Sequence, residues 1–288
     1  MSAVITEAGF EVWFTIGRQV DPTMLIESLA AITGEKRYVP EKRSKLDSLQ
    51  STLSDHCKAH SRGVEQYFVR CLSRQSGREV YREVKGLEEN EVTPMFTAKA
   101  DDHLVTLAGP FQWDATAIQT GYDQYRKSLG PKQVNGILER ELARLSATRI
   151  EGKRAWFLPP ESINQWLMIV DAVKGATLTF DTCFYEQEYK LTGSALEAVQ
   201  KSVTSEIEGT VDSILAEMSE GQFTDRVACN RLETLSSTHD KMVRYEQLFQ
   251  SGLDSCRHKM DSVLQALSFG SAVEETTSQM DDLFDVAS

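Results

Sequence analysis

SALEAVQKSVTSEIEGTVDSILAEMSEGQFTDRVACNRLETLSSTHDKMVRYEQLFQSGLDSCRHKMDSVLQAL, residues 194–267, is the stretch on which the fold turns. Leu196, Val199, Val203, Ile207, Val211, Ile214 and Met218 recur at steps of three and four, which lays one apolar stripe along a helix. After Gly221-Gln222-Phe223 a second stripe runs from Leu232 through Leu235, His239, Met242, Tyr245, Phe249, Leu253, Cys256, Met260 and Val263 to Leu267. Ser194, with Glu197 three residues on, opens the first helix as a capping box, and Thr224 can cap the second. The pattern predicts a long antiparallel helical hairpin, a coiled coil.

Read as single helices, Asp225–Leu267 spans roughly 65 Å and Ala195–Ser219 roughly 37 Å, at about 1.5 Å per residue. The longer helix therefore overruns its partner. Its last turns need cover from the rest of the chain or from a second copy. Phe249, Leu253, Met260, Val263 and Leu267 are the expected surface for self-association or partner docking, because left bare they would exceed the apolar patch a monomer usually carries.

Working outward, 288 residues with 41% apolar content can bury a core and form one or two domains. Met1 to Phe10 has no basic cluster, and no apolar run approaches the ~20 residues of a membrane span. The expectation is a cytoplasmic protein without membrane contact. Five scattered cysteines with no C-x-x-C argue against a disulfide framework and a conventional zinc site. Residues 1–150 balance 20 cations against 20 acids, whereas residues 151–288 hold 11 against 23 and so carry the whole net charge of -12. Such an acidic half repels phosphate, so any nucleic-acid surface belongs on the first half.

Along that first half, Phe10, Val12 and Phe14 alternate in a strand over Gly9–Gly17, and Asp21-Pro22 opens a helix ending near Gly34. Leu46, Leu49 and Leu53 mark a second helix running to about His60. Strand-like runs at Gln66–Leu72, Glu79–Val84, Met95–Lys99 and His103–Ala108 predict an antiparallel meander, joined by the first strand. Thr116–Ile150 reads as helix, broken at Gly130-Pro131. Arg154–Pro159 is a short strand, Glu161–Val173 a helix and Thr177–Tyr185 a further strand. The fold class is thus α+β: a sheet domain with packed helices over 1–190, the hairpin over 191–267, and an acidic tail over 268–288. Trp13-Phe14 and Trp156-Phe157 each precede a Pro-initiated helix, a faint internal echo.

The short G-x-x-x-W-F-L-P-like strand from Gly152, the helix and strand after it, and a long helical hairpin with Tyr245-x-x-Leu248 resemble a family of uncharacterised proteins of bacteria and their phages. The resemblance covers roughly residues 152–267. It implies a fold and a mobile-element setting, with no activity and no functional residues to carry over.

The chemistry-bearing patterns are sparse. His56 and His60 share a helix face beside Cys57, but two or three ligands do not make a metal site, and no spacing recommends a fourth from His103, His239 or the Cys256/His258 pair. Glu83-Val84-Lys85 is a fragment of the carboxylate–lysine set of metal-dependent nucleases, without its second carboxylate. Nucleotide-binding glycine loops and nucleophile elbows are absent. Lys36, Arg37, Lys42, Arg43 and Lys45 surround Tyr38, and Arg70, Arg74, Arg78 and Arg82 follow at four-residue steps. Cations with aromatic rings on a sheet suit single-stranded nucleic acid. In the tail, Met280, Leu283 and Phe284 offer apolar anchors for docking among acids. No cofactor, metal or small-molecule substrate is expected. The leading reading is a non-catalytic interaction or assembly protein, a homo-oligomer or partner-bound. The alternatives are a single-stranded nucleic-acid-associated factor and, third, a metal-dependent nuclease.

Overall fold

The computed structural model describes residues 8–34, 41–73, 77–86, 89–110, 113–219 and 225–265. The fold is α+β with two antiparallel four-stranded sheets. Two compact units, each discontinuous in sequence, share the chain. A meander unit holds Phe14–Glu141 and Asn164–Tyr185; a helical unit holds Leu142–Ile163 with the described parts of Met1–Trp13 and Glu186–Ser288.

In the meander unit, β2 (Glu65–Ser73), β3 (Gly77–Lys85), β4 (Asn90–Ala100) and β5 (Val105–Ala108) pair in that order. (The first strand, Ala8–Thr15, lies in the other sheet.) Val69 faces Val80, and Val80 faces Phe96, so strand alternation gathers the apolar side chains on one face. Leu49, Leu53 and Cys57 of α2 (Lys45–His60) and Ile118 and Tyr122 of α3 (Ala115–Lys127) close over that face. Their four-residue spacing is what sets them on one side of each helix. Helix α1 (Pro22–Thr33) begins with a proline behind Asp21, whose carboxylate accepts from the Thr23 and Met24 amides, and ends at Gly34 with φ 73°. The expected break near Gly130-Pro131 separates α3 from α4 (Pro131–Arg144), with Leu129 bridging to Val20 between them.

In the helical unit the sheet order is β6 (Thr148–Arg149), β7 (Trp156–Leu158), β1 (Ala8–Thr15), β8 (Cys183–Lys190). The meander therefore lacks the first strand that the sequence assigned to it. Phe10 pairs with Leu158 and Val12 with Trp156, 148 and 144 residues apart in sequence, which local patterning does not reveal. A second correction concerns Thr177–Tyr185. The strand starts only at Cys183, and Leu178 and Phe180 are exposed before it. Back in the meander unit, helix α5 (Ile163–Ala176) sets Trp166 against Phe14 and Phe184, with ring centroids 6.0 and 6.1 Å away.

The hairpin stretch forms α6 (Ser194–Ser219) and α7 (Asp225–Phe249). Arg231 meets Glu217 through two hydrogen bonds of 2.7 and 2.8 Å, and Lys241 meets Glu206 at 2.6 Å, so the two helices run antiparallel. The expected continuous helix to Leu267 is not formed. Gln250 turns to φ 52°, and the chain is helical again over 254–265, here α8. Glu246 fastens the turn by accepting from the Leu253 amide at 2.9 Å and from Arg257 at 2.5 Å. Lys259 of α8 reaches Asp212 at 3.0 Å, so α8 lies along α6. The seam is thus shared by three helices instead of being a two-helix coiled coil.

That turn removes the overhang on which the self-association surface rested. Phe249, Leu253, Met260 and Val263 are buried within the chain, in one core with Val199, Val203, Ile207, Val211 and Tyr245. Leu267 and the tail residues Met280, Leu283 and Phe284 lie outside the described residues.

Candidate anion-binding site

The basic segment expected around Tyr38 lies only partly within the described residues: Lys36, Arg37 and Tyr38 lie outside them. Lys42 and Arg43 precede α2, whose N-cap Ser44 accepts from the Asp47 amide at 3.1 Å. They line a cavity of about 640 Å³ with Arg126, Lys127, Ser128 and Leu129 from the end of α3, Pro22 and Ile26 of α1, and Asp102 and His103. The last two sit in a tight turn between β4 and β5. There Asp101 accepts from the His103 and Leu104 amides at 2.8 and 2.7 Å, and those two bonds hold its carboxyl below the usual range.

Within this cavity the cations divide by role. Arg43 is 5% exposed. It donates to the Arg18 carbonyl at 2.8 Å and to Ser51 Oγ at 2.5 Å, and stands 4.7 Å from the Tyr125 ring centre. Burial pulls its pKa down from the ordinary arginine value. Tyr125 donates to Asp55, which also pairs with Arg18, and its hydroxyl is pushed up to about 12, mainly by burial. Arg43 is thus an internal brace. Arg126 donates to the Arg43 carbonyl and lies 3.5 Å from Asp102. Lys45 meets Asp102 at 2.8 Å and holds that carboxyl below its usual range. Lys42 and Lys127 have no carboxylate partner among the described residues, and both are exposed. Lys127 and Arg126 also complement the negative end of α3. The cavity therefore has four cations against one carboxylate over an apolar floor of Pro22, Ile26 and Leu129.

The arginines at four-residue steps do not converge. Arg78 is 8% exposed and donates to Gln50 at 2.6 Å and to the Gly77 carbonyl at 3.0 Å. Arg82 pairs with Glu65. Arg70, on the opposite face, covers the stacked Phe68 and Tyr81 rings at 5.1 and 5.0 Å. Arg74 lies outside the described residues. In a strand a step of four returns to the same face, but the hairpin between β2 and β3 reverses direction and face together, which separates Arg70 from Arg78.

His56 and His60 stack with Trp113, His60 at 4.5 Å, and His60 Nδ1 lies 2.7 Å from the His56 carbonyl. Glu83 accepts from Asn90 at 3.1 Å. Among the described residues no group of three His, Cys, Asp or Glu side chains could hold a metal ion.

The sequence reading missed a buried polar cluster in the helical unit. Lys241, 7% exposed, donates to Glu206 at 2.6 Å and to the Ala147 carbonyl at 2.8 Å. Thr148 donates to the other Glu206 oxygen at 2.6 Å, and Tyr245 to the Ser146 carbonyl at 2.9 Å. Burial lowers the Lys241 pKa against the pull of Glu206. A lysine inside an apolar stripe at helical spacing, between Leu235 and Tyr245, was the available signal.

Residues 8–280 match a family of unknown function, DUF6744. No curated protein and no solved structure matches the chain. Among the described residues no helix is long and apolar enough to cross a membrane.

Proposed function

The chain belongs to that family of unknown function, and we propose from its own geometry that it is a non-catalytic factor binding single-stranded nucleic acid through the basic cavity of the meander unit. The observation that carries this reading is the pair of lysines without a carboxylate partner among the described residues, Lys42 and Lys127, beside Arg126 over an apolar floor. The lysines neutralise phosphate, and the floor accepts the flat face of a splayed base. Arg43 shapes the site from beneath. The sequence just before Lys42 adds Lys36, Arg37 and Tyr38. A phage or other mobile-element setting is part of the same proposal and rests on the resemblance of residues 152–267.

Labelled single-stranded DNA and RNA, titrated with full-length protein at low and high salt, test the reading. Affinity that falls steeply with salt is expected, because bound phosphates release counterions. Absence of affinity for both at low salt would remove it.

A second reading, association with a second copy of the chain, is favoured by a different surface from the one first expected. Leu167, Met168, Leu178 and Phe180 of the meander unit are exposed, Phe180 fully so. Light scattering of the wild type and Phe180→Ser tests it. A wild-type mass above the monomer that the substitution returns to monomer supports it, and a monomer at high concentration rejects it.

A further inference from the structure

The helical unit holds a second cavity, of about 740 Å³, between the β6–β7 turn and one face of α6. The turn is built to hold its shape. Ile150 and Ala155 close it with a 3.0 Å hydrogen bond, Gly152 takes φ 74°, and the Glu151 amide donates to Ser202 Oγ of α6 at 3.1 Å. At that φ a side chain at position 152 would be strained.

Charge in this cavity is unevenly satisfied. Lys201 meets Glu151 at 2.8 Å, Lys153 meets Glu11 at 3.0 Å, and Glu206 is engaged by Lys241 and Thr148. Elsewhere in the unit Arg231, Arg244, Arg257 and Lys259 each meet a carboxylate. Arg149 and Arg154 face the same cavity, and their side chains have no ion pair or hydrogen bond among the described residues. Arg154 lies within residues 151–288, where acids outnumber cations by 23 to 11, and Arg149 stands just ahead of that stretch. Arg149 sits directly across the strand pair from Trp156, a half-buried indole that lines the cavity.

We propose that this cavity binds a mononucleotide. Arginine forks match phosphate oxygens two at a time, so Arg149 and Arg154 take the phosphate. Trp156 supplies an aromatic wall for the base, and the volume lies within the range of small-ligand sites. The site is separate from the basic cavity of the meander unit, and neither proposal depends on the other.

Calorimetric titration of full-length protein with the four ribonucleoside 5′-monophosphates, one at a time, tests it. At least one is expected to bind. Arg149→Ala with Arg154→Ala should weaken it about tenfold or more. Trp156→Leu should weaken the nucleotide while leaving any binding of inorganic phosphate unchanged. Both arginines are exposed, so the double variant should keep the wild-type melting temperature. Lys42→Ala with Lys127→Ala should bind the same nucleotide as the wild type does. Failure of all four nucleotides at millimolar concentration would overturn the proposal. So would unchanged affinity in the arginine double variant.

Discussion

Two adjacent cations, Lys42 and Arg43, look alike in sequence and do opposite things. Arg43→Ala strips a buried guanidinium from the Arg18 carbonyl, Ser51 and Tyr125, and is expected to cost about 2–4 kcal/mol. Lys42→Ala should change stability by less than about 0.5 kcal/mol and act on binding alone. Urea denaturation of both variants checks the pair, and equal stabilities would refute the division of roles. Lys241 gives a test with a sign. Burial lowers its pKa, so between the folded value and that of the unfolded chain the unfolded state holds more protons. Lys241 therefore costs stability while protonated in both states, and the cost fades as pH rises through the folded value. Wild-type stability should rise relative to Lys241→Met on going from neutral toward pH 10.5, measured by urea denaturation. A constant difference would contradict the buried charged amine. At this scale residue type was legible and exposure was not. Arg43 and Arg78 were grouped with the free cations because a sequence does not show which arginines fold inward.

For the elements, the expected helix starts at Ala195 and Asp225 lie within one residue of those of α6 and α7, although Ser194 is the first residue of α6 and not its cap, and the Glu197 amide donates to the Gly193 carbonyl. The break at Gln250 was hidden by the same stripe. Phe249, Leu253, Cys256, Met260 and Val263 keep helical spacing because α7, the turn and α8 bury them in one core. Ser251-Gly252 was the overlooked signal, a turn dipeptide inside an otherwise periodic run. Gln250→Gly distinguishes the two structures. Where Gln250 holds φ 52°, glycine relieves a left-handed strain and should stabilise the protein by about 1 kcal/mol. In an unbroken helix the same change would cost about 1 kcal/mol. The sign of the melting-temperature shift decides between them. Pairing of β1 with β7 was out of reach of any local pattern, since nothing near residue 10 specifies a partner near residue 158.

For the whole molecule, the uneven charge was the most useful thing the sequence offered. It directed attention to the first half, where the basic cavity of the meander unit lies, although it gave no sign of Arg149 and Arg154 where the two halves meet. What no composition could supply was which carboxylates neutralise which cations. Asp102 takes Lys45 and Arg126 and leaves Lys42 and Lys127 open. The central claim is that those two lysines bind nucleic-acid phosphate. Its most direct test is the salt dependence of single-stranded oligonucleotide binding in three proteins: the wild type, Lys42→Ala with Lys127→Ala, and Arg149→Ala with Arg154→Ala. The lysine double variant should bind more weakly at every sequence and lower the slope of log affinity against log salt by about 1.4, roughly 0.7 for each lost contact. The arginine double variant should match the wild type. Equal slopes in the wild type and the lysine double variant would contradict the account.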